Sequence, residues 1–81
     1  MNQVFLIGKI ITEVDFNFIL NSKKKSIALF YLETLDGEKI RILGYDNIAD
    51  YCYSKLNSKM NIFVYGLLNK DGVEIKKLII V

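Results

Sequence analysis

The stretch KIRILGYDNIADYCYSKL, Lys39 to Leu56, changes its hydrophobic period in the middle. Up to Tyr45 the apolar residues alternate with charged ones; from Asp46 onward they recur every three or four positions. Alternation marks a half-buried strand, and the longer spacing marks an amphipathic helix. The stretch therefore reads as a strand that passes directly into a helix. Asp46 stands at the N-cap position, where a carboxylate can accept a free backbone N–H, and Asp50 adds negative charge near the positive helix end. Ile48, Ala49, Cys52 and Leu56 make the apolar stripe of that helix.

Upstream, NQVFLIGKII (Asn2 to Ile11) is rich in β-branched and aromatic residues and reads as the first strand. Alternation puts Val4, Leu6, Gly8 and Ile10 on one face and Phe5, Ile7, Lys9 and Ile11 on the other. A glycine inside a strand often marks a bend, so the chain is expected to coil near Gly8. FNFIL (Phe16 to Leu20) either continues this strand or pairs on its own. NSKKK (Asn21 to Lys25) is a turn, and SIALFYLET (Ser26 to Thr34) is a second strand, apolar on both faces. The Asp36-Gly37 pair signals a hairpin into the third strand, EKIRILGY. After the helix, NIFVYGLL (Asn61 to Leu68), the tight turn NKDG and VEIKKLIIV supply the last two strands.

Three strands, one helix and two strands in so short a chain leave costly open sheet edges unless the sheet closes. The solution with five strands is the all-β OB-fold Greek-key barrel, with its α-helix between strands three and four. It is expected here as a single domain over residues 1–81. An SH3-like barrel and a plain sheet packed on one helix are the alternatives.

Of the 81 residues 52% are apolar, and mean hydropathy is +0.26. That exceeds the roughly 45–50% of an average globular chain and suggests apolar surface covered by another subunit. A formal net charge of +2 is too small to announce a nucleic-acid binder, so the distribution of charge must decide. One cysteine excludes an internal disulfide, and the lack of histidine removes the commonest general base and zinc ligand. The close carboxylate pairs are Glu13 with Asp15 and Asp46 with Asp50; the first has no third group beside it, and helix capping explains the second. No catalytic residue, metal or cofactor is expected, and the chain does not read as an enzyme. The longest uncharged run, NIFVYGLLN, falls well short of the ~18 residues of a membrane span. No basic region precedes the apolar start, so no signal peptide is expected. A cytoplasmic domain that engages no membrane is the default.

Function is most legible in the third strand. Ile40, Ile42 and Gly44 share one face, while Lys39, Arg41, Leu43 and Tyr45 share the other. Cations beside an aromatic suit single-stranded nucleic acid, because phosphates need the charge and a base needs a ring to stack on. The alternative for each residue is a plain solvated face. Lys23, Lys24 and Lys25 could steer a phosphate backbone or form a solvated turn, with Lys9 and Lys70 as weaker extensions. Phe30 is either core or a stacking platform. Alternation puts Lys76 and Lys77 on opposite faces of the last strand. The outward apolar rows Phe5, Ile7 and Ile11, and Phe63 with Tyr65, read as a homo-oligomer interface. Tyr51 and Tyr53 suit partial cover for the barrel end, and Cys52 a small core hydrophobe.

NQVFLIGKI, IRILGYDNIADYCYSKL and NIFVYGLL, in this order, resemble the DNA-binding core of bacterial single-stranded DNA-binding proteins. The family's opening strand reads Asn-Lys-Val-x-Leu-x-Gly-x-Leu and its fourth Val-x-Val-x-Gly-x-Leu. Its third strand and helix follow an Arg-Val-x-x-aromatic-Gly-Lys-Leu-Ala-Glu pattern. Departures are also plain. Lys39 replaces the usual early tryptophan, Asp46 a glycine, and another glycine aligns near Lys59. The two long hairpins are shortened, and the family's disordered tail with its acidic tip, which recruits replication proteins, is not expected here. A minimal tail-less version, or a relative such as primosomal replication protein N, fits the resemblance. It implies sequence-tolerant binding of single-stranded DNA in replication, repair or recombination by a homodimer or homotetramer, with Tyr45 in the stacking position and Arg41 on the family's basic one. RNA is an alternative ligand. The alternative function is a protein-interaction module for a primosome or mobile-element partner.

Overall fold

A computed structural model describes residues 2–20 and 22–81; Met1 and Asn21, which opens the predicted turn, lie outside the described residues. The elements follow in the order β1 (Gln3–Ile10), β2 (Asp15–Phe18), β3 (Ser26–Thr34), β4 (Lys39–Tyr45), α1 (Asn47–Lys55), β5 (Asn61–Asn69) and β6 (Gly72–Ile80).

Five of the strands close into a ring. β1 pairs antiparallel with β5 from Gln3↔Leu67 to Lys9↔Asn61, and its last residues also pair with β3, from Gly8↔Thr34 to Ile10↔Leu32. β3 pairs with β4, β4 lies parallel to β6 through Ile42↔Val73, and β6 returns to β5. This closed barrel with its one helix between β4 and β5 is the expected OB-fold. At Gly8 the chain lies against two neighbours at once, and a Cβ there would overlap the Glu33 carbonyl. The predicted coil at this glycine is thus the point where β1 changes partner. β2 lies along the first half of β3, from Asp15↔Leu29 to Phe18↔Ser26. Most of FNFIL therefore extends the path of β1 along β3 after a four-residue break at Ile11–Val14.

The inner rows of all five barrel strands meet in one core, which includes Ile10, Phe30, Leu32, Ile42, Val64 and Ile75. Ala49, Cys52 and Leu56 bring the helix stripe onto it, and Ile48 packs partly against it. Tyr53 lies against Phe16 of β2 with ring centroids 5.0 Å apart and, like Tyr51, stays largely exposed. Cys52 is fully buried, and burial pushes its thiol up to about 12. The native protein should therefore resist a thiol-reactive dye at mildly alkaline pH, whereas the urea-unfolded chain should react fully. Rapid native labelling would contradict this packing.

The junction itself departs from expectation. Asp46 does precede the helix, and its carbonyl accepts the Asp50 N–H at 3.0 Å, but its carboxylate makes no cap bond. Its backbone lies at φ 55° and ψ −119°, a conformation that costs an ordinary residue about 1–3 kcal/mol. The carboxylate points away from the helix, toward the residues before β3. There Oδ1 accepts the Lys25 N–H at 2.7 Å and the Ser26 N–H at 3.3 Å, while the Asp46 N–H donates to the Ser26 carbonyl at 3.0 Å.

Lys59 also has a positive φ, 75°. The left-handed region costs an L-residue about 1–2 kcal/mol, against the roughly 0.5–1 kcal/mol entropic cost of glycine. Lys59→Gly should therefore stabilise the fold by up to about 1 kcal/mol, seen as a higher urea midpoint with an unchanged slope.

Candidate nucleic-acid interface

The β3–β4 hairpin sets the geometry of the outer face. Gly37 takes φ 86° in the turn, its N–H donates to the Thr34 carbonyl at 2.9 Å, and the Thr34 hydroxyl accepts the Glu38 N–H at 3.2 Å. The register that follows places Glu33 opposite Lys39, Tyr31 opposite Arg41, Leu29 opposite Leu43 and Ile27 opposite Tyr45. Lys39 and Arg41 are exposed, Tyr31 is 39% exposed and Tyr45 is half-buried. Leu43 is only 4% exposed, because it sits between Leu29 and Glu74 of β6. The face thus has a tyrosine–arginine row and a second tyrosine row, about 13 Å apart along β4, with the buried Leu43 and half-buried Leu29 between them.

The lysine turn closes over the second row. Lys24 Nζ stands 5.4 Å from the centre of the Tyr45 ring, within range of a cation–π contact. Lys23 and Lys25 are exposed in the same turn. At the other row, the β5–β6 turn that carries Lys70 is held close to Arg41. Gly72 takes φ 132°, and a Cβ on it would overlap the Arg41 carbonyl. Lys9 joins a third row, Lys9–Glu33–Lys39, in which an acidic position separates two basic ones.

No family model matches the sequence, and no curated protein matches it. Solved structures do match. An SSB domain from Synechococcus sp. superposes with a TM-score of 0.82 at 11% identity, over 96% of this chain and 93% of that one. A small single-stranded DNA-binding protein from Streptomyces coelicolor gives 0.80 at 13% identity, over 100% and 95%. A deletion mutant of the single-stranded DNA binding protein from Thermus aquaticus gives 0.85 at 18%, over 100% of this chain and 41% of that one. The chain shares the OB-fold of these solved structures.

Within this barrel Phe30 is not a platform residue. It is 1% exposed and packs in the core opposite Ile42, so no base can reach its ring. The exposed aromatic of β3 is its neighbour Tyr31. With both faces of β3 apolar, alternation alone does not choose between them. A two-residue turn at Asp36-Gly37 would pair Arg41 with Leu32; the three-residue loop Leu35–Gly37 shifts the register by one and pairs Arg41 with Tyr31 instead.

Alternation also misplaces Lys76. The β5–β6 register shifts at Tyr65/Gly66, so that Tyr65 faces Lys77 while Gly66 faces Ile75, leaving Lys76 as the extra residue of a bulge. Lys77 keeps to the outer row of Tyr65, and Lys76 Nζ pairs with Glu74 Oε2 at 3.0 Å on that same side. Both lysines thus lie outside the barrel, though the Glu74 pair occupies one of them.

Phe5, Ile7, Phe63 and Tyr65 come together on the outer face of β1 and β5. Phe5 is 68% exposed; its ring lies 4.8 Å from that of Tyr65 and meets Phe63 edge-on at 6.4 Å. Ile79 of β6, 67% exposed, completes a groove of about 300 Å³ with Lys77 and Leu78. Ile11 does not join it. That residue is half-buried beyond β1, with its N–H donated to the Tyr31 carbonyl at 3.0 Å.

Proposed function

We propose that the chain binds single-stranded DNA without sequence preference, as a homo-oligomer, in replication, repair or recombination. The observation that carries this reading is the outer face of β3 and β4, where Tyr31 lies opposite Arg41 and Tyr45 lies beneath Lys24. Bases stack on the two tyrosines, at roughly 1–3 kcal/mol each, while Arg41, Lys39 and the lysine turn hold phosphates. Lys70 and Lys9 extend the positive path at either side. The similarity to solved single-stranded DNA-binding proteins supports the reading.

Titration of a labelled poly-dT oligonucleotide at two salt concentrations tests it. Binding should weaken with salt, with a log–log slope of about −0.7 for each phosphate neutralised on a single strand. Absence of binding at low ionic strength would refute the proposal. The same titration with poly-U tests RNA as the ligand, since stacking alone does not distinguish the two. Glu33 stands between two of the proposed phosphate-binding lysines. Glu33→Gln should therefore tighten low-salt binding about two- to fivefold, with the gain fading as salt screens it. An unchanged affinity would place the DNA away from this row.

The oligomer interface in this proposal is the groove of Phe5, Phe63, Tyr65 and Ile79, whose exposed aromatic surface is of the kind that marks contact sites. Solution mass should exceed that of one 9.4 kDa chain, and Phe5→Ser should reduce it. The same groove favours a second reading, a protein-interaction module. A partner retained at high salt by a chain that binds no oligonucleotide would support that reading.

A further inference from the structure

We infer that Asp46 is a positioning residue for the nucleic-acid face, fixing the lysine turn so that Lys24 stands over Tyr45. The inference rests on the binding role proposed for that face. Asp46 is itself an anion and acts through the backbone of the lysine turn. Its carboxylate accepts the Lys25 N–H at 2.7 Å and the Ser26 N–H at 3.3 Å, and its own N–H donates to the Ser26 carbonyl at 3.0 Å. Three bonds thus tie the end of β4 to the two residues that follow Lys24. Tyr45 is the residue immediately before Asp46, and the Lys24 ammonium lies 5.4 Å from its ring centre. Two of the three bonds come from the side chain, so one carboxylate ties the residue after Lys24 to the residue after Tyr45.

Helix capping does not account for this carboxylate, which makes no bond to the helix. Nor does backbone conformation favour an aspartate, since φ 55° is a position glycine occupies more readily. The bonded N–H of Lys25, with smaller help from Ser26 and the nearby lysine charges, holds the carboxyl below the usual carboxylate range against desolvation. The clamp is thus charged, and charge-assisted bonds to backbone N–H groups are the stronger kind.

Asp46→Gly isolates the role, because glycine keeps the backbone conformation and removes only the clamp. Asp46→Asn keeps an acceptor oxygen and serves as the conservative control. Two readouts are needed. Without nucleic acid, the Lys24 side-chain protons should show an upfield ring-current shift by NMR in the wild type and in Asp46→Asn, and lose it in Asp46→Gly. With poly-dT, Asp46→Gly should bind about three- to tenfold more weakly and lose about 0.7 of the log–log salt slope, the share of one phosphate. Lys24→Ala should cause the same loss, and the double variant no more than either alone, since the two act as one unit.

A wild-type ring-current shift that persists in Asp46→Gly overturns the positioning role, as does additive loss in the double variant. Wild-type affinity and slope in Asp46→Gly overturn it as well, and leave the binding proposal standing. Failure of the wild type to bind any oligonucleotide overturns both.

Discussion

Phe30→Ala should unfold the barrel, or nearly so, while Tyr31→Ala one residue away should leave it intact. Phe30 is 1% exposed and fills the space between β3 and the facing Ile42 of β4. Replacing a buried phenylalanine with alanine costs about 3–5 kcal/mol, in transfer energy plus the cavity left behind. Small domains have about 5–15 kcal/mol in total, and one of this size lies near the lower end. Urea denaturation followed by circular dichroism should therefore show a midpoint shifted almost to zero for Phe30→Ala. Tyr31→Ala, on a partly exposed outer position, should lose no more than about 1 kcal/mol. Reversed magnitudes would mean that the faces of β3 have been exchanged.

The second large effect falls on binding. Tyr45→Ala should weaken poly-dT binding by about 1–3 kcal/mol, or roughly five- to 150-fold. The structure puts this ring at the end of β4, half-buried, beneath the Lys24 ammonium. Tyr45→Phe keeps the ring and should bind within about twofold of wild type, because the stacking surface and not the hydroxyl is what a base uses. Fluorescence titration beside a urea melt separates the two contributions. A loss of affinity no larger than the loss in folded fraction would make Tyr45 a packing residue.

Where one physical signal dominated, the sequence was legible. Alternation in KIRILGY placed Lys39, Arg41 and Tyr45 on one outer face, and the turn chemistry of Asp36-Gly37 located the hairpin. The period change after Tyr45 located the helix to within a residue. Legibility failed where two signals compete. β3 is apolar on both faces, so the choice between Phe30 and Tyr31 depended on a register that composition does not encode. The bulge at Lys76 adds one residue to β6 and reverses the face of what precedes it, and nothing local in VEIKKLIIV announces it. Asp46 satisfies every composition rule for an N-cap, yet its positive φ points the carboxylate toward β3. The departures from family glycines at Asp46 and near Lys59 were the available clue, since those are the two non-glycine residues with positive φ among the described residues. Ile11 was assigned to the outer row of β1 by alternation, but the strand ends before it and its N–H bonds to β3.

An NMR titration of the labelled protein with poly-dT shows which outer surface meets the strand. Amide shifts should concentrate at Ile27 to Tyr31, Arg41 to Tyr45 and Lys23 to Lys25, with the Phe5, Phe63, Tyr65 and Ile79 groove unperturbed by the DNA. Shifts confined to that groove, with the β3–β4 face silent, would contradict the proposed binding face.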